Sequence, residues 1–99
     1  IAATGPCICR DCFEVDADLG EKFQSEFGYP GISRPGRPGK AYVDLELAAA
    51  VQFVEAGIRP ESITLMNACT YENRQHFFSH RRDKGITGSM AAYIKLIQP

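Results

Sequence analysis

The sequence predicts an α/β domain, on three observations. Leu19, Phe23 and Phe27 form an apolar stripe with a repeat of four residues, the period of one helix face. A second helical pattern runs from Leu45 through the Ala48-Ala49-Ala50 triplet behind a capping residue, Asp44. Short apolar runs at residues 1–4, 63–67 and 90–97 have the length of strands rather than helices. Helices interleaved with strands point to α/β organisation.

In chain order, Ile1-Ala2-Ala3-Thr4 reads as the tail of a buried strand. The chain does not open on Met, and its true N-terminus is expected to lie elsewhere. Residues 5–12 begin with a Gly-Pro breaker and have no period, so they read as a loop. Asp16 stands where a cap is needed, and Gly28 with Pro30 ends the first helix. Residues 29–40 hold Pro30-Gly31, Pro35-Gly36 and Pro38-Gly39, punctuated by Arg34, Arg37 and Lys40. Proline fixes φ and glycine relieves it, so this stretch reads as an irregular solvated loop. Gripping an anionic substrate group is the alternative. The second helix runs from Asp44 to a C-cap at Gly57. Pro60 suits the start of a short helical turn, residues 63–67 read as a strand, and residues 72–76 as a short helix or turn. Residues 90–97, broken only by Lys95, read as a final strand.

The bulk numbers narrow the function classes. Ninety-nine residues, 44% of them hydrophobic, suit one small domain at most. A chain this short buries a modest share of its surface and is marginal alone. Eleven basic against twelve acidic residues leave no cationic excess of the kind nucleic-acid binding requires. No apolar run approaches the roughly 20 residues that span a bilayer, and no signal peptide is visible. The reading is therefore neither a nucleic-acid nor a membrane partner. Cys7, Cys9, Cys12 and Cys69 allow two disulfides by count, but Cys7–Cys9 would be a strained pair. Reduced thiols in the cytoplasm are expected instead.

Two segments carry candidate chemistry. Cys7, Cys9 and Cys12 form a Cys-x-Cys-x-x-Cys run. Thiolates bind zinc, yet a convincing tetrahedral site needs a fourth ligand or a second cysteine pair, and by spacing alone free thiols in a loop read as well. His80, Arg81 and Arg82 follow two aromatic residues. Guanidinium forks fit phosphate oxygens, and His76 or His80 is able to carry a proton. A solvated basic patch, with one Arg paired to Asp83, is the competing reading. No P-loop, dinucleotide fingerprint, metalloprotease histidine pair or nucleophile elbow occurs.

Three groups of residues taken together resemble a known family. The first is Gly5-Pro6-Cys7-Ile8 followed by Cys12-Phe13-Glu14-Val15. The second leads from Asp44-Leu45 through the alanine helix to Ala56-Gly57-Ile58 and on to Ile63. The third is Cys69-Thr70, Phe77-Phe78-Ser79, Arg81-Arg82-Asp83, Thr87-Gly88 and Met90-Ala91-Ala92. Their order and spacing are similar to the C-terminal portion of the bacterial laccase-domain proteins. That family was once called multicopper polyphenol oxidoreductases and is now viewed as zinc-containing purine nucleoside enzymes. Residues 1–99 would then be the C-terminal portion of one such enzyme domain.

The resemblance implies a layered α/β sandwich with mixed sheets. It implies zinc held by two histidines and one cysteine, all contributed by upstream sequence, so Cys7, Cys9, Cys12, Cys69, His76 and His80 are not promoted to ligands. It implies phosphorolysis of adenosine and inosine, adenosine deamination, and purine nucleosides and phosphate as partners alongside the missing N-terminal half. Arg81 and Arg82 become candidates for pocket or phosphate contacts, and Cys69 and Thr70 for the pocket wall. Copper-dependent polyphenol oxidation is the less attractive activity, because a blue-copper site wants His and Cys with a weak axial ligand. A catalytically silent protein of the same fold is a further alternative. Cys9-Arg10-Asp11, Ala49, His80 and Ser89 depart from the family pattern, and the last two bear on substrate choice.

Overall fold

The computed structural model describes residues 1–97. Two helices and two small sheets make up its regular structure. Strand β1 (Ala2–Ala3) pairs in parallel with β5 (Ile63–Thr64), with Ala2 opposite Ile63 and Ala3 opposite Thr64. Strands β2 (Glu14–Asp16), β3 (Ser33–Pro35) and β4 (Lys40–Val43) form an antiparallel sheet in the order β2-β4-β3. Helix α1 (Ala17–Phe27) lies against this sheet, and helix α2 (Leu45–Glu55) follows β4 directly. A 3₁₀ turn, Pro60–Ser62, leads into β5. No helix among the described residues is long and apolar enough to cross a membrane.

The helix ends follow the sequence signals, with one exception. The Asp44 carboxylate accepts from the Leu47 backbone N–H at 3.0 Å, the expected N-cap bond. At the other end Ile58 N–H reaches the Phe53 carbonyl and Gly57 N–H the Val54 carbonyl, both at 3.0 Å. This is a Schellman closure, and it needs the φ of +98° that Gly57 adopts. Asp16 occupies the N-cap position of α1 without capping it. Its carboxylate bonds Lys40 Nζ at 2.7 Å instead, and that partner holds the carboxyl below its ordinary range.

Two expectations are corrected. Residues 29–40 are not one irregular loop: they contain β3, the turn at 36–39 and the first residue of β4. Ile32 and Val43 are fully buried, and Ala41 is 6% exposed, so apolar burial outweighs the breakers. Pro35 is tolerated because β3 is an edge strand, where a missing N–H costs little. The cations of this hairpin are paired within the chain, Arg34 with Asp11 at 2.7 Å and Arg37 with Glu14 at 2.8 Å. The strand expected at residues 90–97 is not formed. A strand is a pairing rather than a composition, and no partner strand meets this run among the described residues. Tyr93, Ile94, Leu96 and Ile97 stand at least 89% exposed. The strand expected over 63–67 is confined to Ile63 and Thr64.

Val15, Ala41 and Val43 form the core of the antiparallel sheet, with Phe13, Phe23 and Leu45 packed against them. Gly20 brings α1 close to this sheet. A Cβ there would lie 2.6 Å from Ala41 Cβ and 2.8 Å from Ser33 Oγ. Alanine favours a helix interior by about 1 kcal/mol over glycine, whereas overpacking of this kind costs about 1–3 kcal/mol. The steric cost is the larger, so Gly20→Ala is expected to lower the urea midpoint. A raised midpoint would show that α1 does not pack this tightly.

Candidate functional site

The loop at residues 5–13 and the segment after β5 meet side by side. Cys7 and Cys69 form an isolated parallel bridge, with Cys7 N–H donating to the Ala68 carbonyl at 3.1 Å and Thr70 N–H to the Cys7 carbonyl at 3.2 Å. The bridge lies further along the two segments that pair as β1 and β5, one residue out of their register. It places Cys69 and Thr70, 5% and 7% exposed, directly behind the first loop.

Two tight turns then aim side chains at one point. The Cys9 carbonyl accepts from both Cys12 and Phe13 N–H at 3.0 Å, which brings the Cys9 and Cys12 sulfurs within 3.5 Å of each other. The Cys69 carbonyl accepts from Asn73 N–H at 3.1 Å and from Asn73 Nδ2 at 2.7 Å, turning the chain so that Glu72 returns over the sulfurs. Glu72 Oε1 lies 3.3 Å from Cys12 Sγ and 3.7 Å from Cys9 Sγ. Cys9 N–H points at Cys69 Sγ from 3.3 Å. One ligand atom from each of Cys9, Cys12, Cys69 and Glu72 lies within 4.8 Å of all the others. All four cysteines are free thiols. Burial pushes the Cys9 and Cys12 thiols up. Burial also opposes ionisation of Cys69, but the N–H groups of Cys9, Glu72 and Tyr71 aimed at its sulfur outweigh that and bring its pKa down. Cys7 lies outside this set; with Cys9, Asp44 and Glu46 it lines a cavity of about 210 Å³, and burial followed by those carboxylates pushes its thiol up.

The arginine pair lies on the other side of Thr70, and its two members differ. Arg82 Nη1 donates to the carbonyls of Thr70 at 2.7 Å and Tyr71 at 3.4 Å. Its Nη2 donates to the Phe77 carbonyl at 2.9 Å and to Asp83 Oδ2 at 3.0 Å, and its Nε to Asp83 Oδ1 at 3.0 Å. A guanidinium has five N–H donors, and all of them meet protein acceptors here. Arg81 makes one hydrogen bond among the described residues, from Nη1 to the Glu14 carbonyl at 2.8 Å. Its guanidinium carbon sits 5.3 Å from the centre of the Phe13 ring.

Arg81, His80, Thr70 and Ser79 line a cavity of about 300 Å³ with Ile8 and Phe13. A second, wider cavity of about 770 Å³ is bordered by Arg74, His76, Arg82, Lys84 and Thr87. Cys69 thus belongs to the thiol cluster, Thr70 links it to the arginine pair, and His76 and His80 border different cavities. Sequence reasoning did not single out Glu72. Its approach to the cysteines depends on a turn whose partners are some sixty residues distant, and nothing in the local pattern announces it.

A family model described as multi-copper polyphenol oxidoreductase laccase matches residues 1–97. Purine nucleoside phosphorylase YlmD from Geobacillus stearothermophilus is 36% identical over 95 residues, spanning 93% of this chain and 34% of that protein. Adenosine deaminase RL5, from an unknown prokaryotic organism, is 39% identical over 83 residues, spanning 82% of this chain and 32% of that protein. The crystal structure of YlmD from Geobacillus stearothermophilus superposes with a TM-score of 0.79 at 34% identity, covering 87% of this chain and 33% of that one. The chain therefore spans about a third of the length of the curated relatives it matches. The α/β fold, with two helices and both parallel and antiparallel pairing, is that of the YlmD structure.

Proposed function

This chain belongs to the multi-copper polyphenol oxidoreductase laccase family, and on that premise we propose that it is the C-terminal part of a purine nucleoside enzyme and supplies the cationic edge of its pocket. The observation that carries this reading is the cavity where Arg81, His80 and Thr70 converge. The names of the relatives, a purine nucleoside phosphorylase and an adenosine deaminase, supply the substrate class.

In this reading the open side of the Arg81 fork orients phosphate against the ribosyl carbon, charge facing charge. Phe13 and the Glu14 carbonyl hold that guanidinium in place. His80 takes or returns a proton at a ring nitrogen as the base departs. Arg82 acts as a positioning residue: it fixes the carbonyls of Thr70 and Phe77, between which the cavity wall is hung. Thr70 forms part of that wall, and Cys69 lies next to it in the chain without lining the cavity.

The two-histidine, one-cysteine zinc of the family does not fit the donors described here. The converging set is three thiols and a carboxylate, with no histidine. Such a zinc would be held by sequence outside these 99 residues. Copper-dependent phenol oxidation rests on the family description alone.

The full-length protein should release free base from adenosine or inosine when phosphate is present. Ammonia release from adenosine would indicate the deaminase branch. Product chromatography after incubation with each nucleoside, with and without phosphate, decides the matter. Absence of both base and ammonia under every condition would overturn the reading.

A further inference from the structure

We propose that Cys9, Cys12, Cys69 and Glu72 bind a zinc ion in a structural site that clasps the residue 5–13 loop to the residue 69–73 turn. This site is separate from the two-histidine, one-cysteine centre that the family resemblance places upstream.

The spacing of the donors carries the inference. Zinc bonds thiolate sulfur at about 2.3 Å in a tetrahedron, so two ligating sulfurs lie about 3.8 Å apart and a sulfur and an oxygen slightly less. Cys9 and Cys12 have their sulfurs 3.5 Å apart, and Glu72 Oε1 stands 3.3 and 3.7 Å from them. All four donors fall within 4.8 Å of one another, so the array needs only small side-chain adjustments to close on an ion.

The ligand set selects the ion. Three soft sulfurs and one carboxylate suit zinc, whereas calcium and magnesium require oxygen shells. Four protein donors complete the tetrahedron and leave no position for substrate, which is the mark of a structural rather than a catalytic site. Backbone support is already present: Cys9 N–H is directed at Cys69 Sγ, the kind of outer contact that orients a ligating thiolate. Cys7, two residues from Cys9, lies outside the converging set of donors and takes no part.

The test uses the full-length protein, purified under reducing conditions and loaded with Zn(II) or Co(II) alone. Metal content by mass spectrometry should fall by about one equivalent in Cys12→Ser relative to wild type, and Cys7→Ser should keep the wild-type content. In the Co(II) form the near-ultraviolet sulfur-to-metal absorption should weaken in Cys12→Ser. It should persist in Glu72→Gln with a shifted visible spectrum. Glu72 is exposed, so this second variant reports on the site even if the serine variant folds poorly. Equal metal content and identical Co(II) spectra in wild type, Cys12→Ser and Glu72→Gln would overturn the proposal. So would a Cys9–Cys12 disulfide in metal-free protein that melts at the same temperature as the metal-loaded form. Nucleoside turnover is measured on the same samples. Loss of one metal equivalent with turnover retained supports the clasp alone, and absent turnover with the metal content as expected counts only against the assigned activity.

Discussion

Replacing Arg82 with alanine is expected to destabilise the protein, because it removes one partner of a half-buried ion pair and leaves the other charge unpaired. The side chain is 14% exposed, and Asp83 is 24% exposed, so solvent screens the pair in part. The loss reaches beyond the pair, because the carbonyls of Thr70, Tyr71 and Phe77 lose their donor together. Arg82→Lys should recover only part of the stability, since an ammonium cannot present a planar fork to acceptors on three sides. Urea unfolding of the full-length protein reads the effect as a lower midpoint. An unchanged midpoint in the alanine variant would show that the clamp is not formed in solution.

The same substitution should alter the acid limb of the stability curve. Arg82 holds the Asp83 carboxyl below its ordinary 3.8. A carboxyl whose folded value is depressed stabilises the fold fully above its unfolded value. That contribution is lost as the pH falls through the folded one. Wild type should therefore lose stability below about pH 4, and in Arg82→Ala this component should be missing.

Arg81→Ala should leave the fold in place and weaken phosphate use. Arg81 is exposed, and its one hydrogen bond among the described residues, to the Glu14 carbonyl, leaves most of the fork open. Loss of a charged donor that faces developing negative charge typically lowers turnover about 100-fold, and a drop of that order in kcat/KM for phosphate is expected. Melting temperature should move by less than about 3 °C. Arg81→Lys should fall between, because it keeps the charge and loses the bidentate geometry. Wild-type kinetics in Arg81→Ala would remove this residue from the pocket. The contrast between adjacent arginines, one failing in stability and the other in turnover, is itself a check on their separate roles.

The two helices were legible because their information is local. The Leu19, Phe23, Phe27 repeat and the Asp44 and Gly57 caps lie within the segments they define, and α1 and α2 fall within a few residues of the expected limits. The hairpin of β3 and β4 was hidden because proline and glycine signal only what a residue does to its own backbone. Burial of Ile32 and Val43 depends on partners elsewhere in the chain. Residues 90–97 show the converse, an apolar run with strand composition and no pairing among the described residues. At the site, the adjacency of Arg81 and Arg82 was visible, but their division of labour was not. It is decided by which carbonyls each one meets. The three cysteines close in sequence read as free thiols in a loop, and the converging group was hidden because Cys7 lies outside it while Cys69 and Glu72, distant in sequence, complete it.

The parallel match of Ala2 with Ile63 and Ala3 with Thr64 bears on the order of folding. Two pairs of residues give little reward for closing so long a stretch of chain, and contacts between distant segments form late because the closure entropy must be met first. The α1 helix and the β3–β4 hairpin, built from near neighbours, are placed to form early. Docking of the first residues beside β5 then completes the structure, and any contact that holds Cys9 near Cys69 shortens that last search.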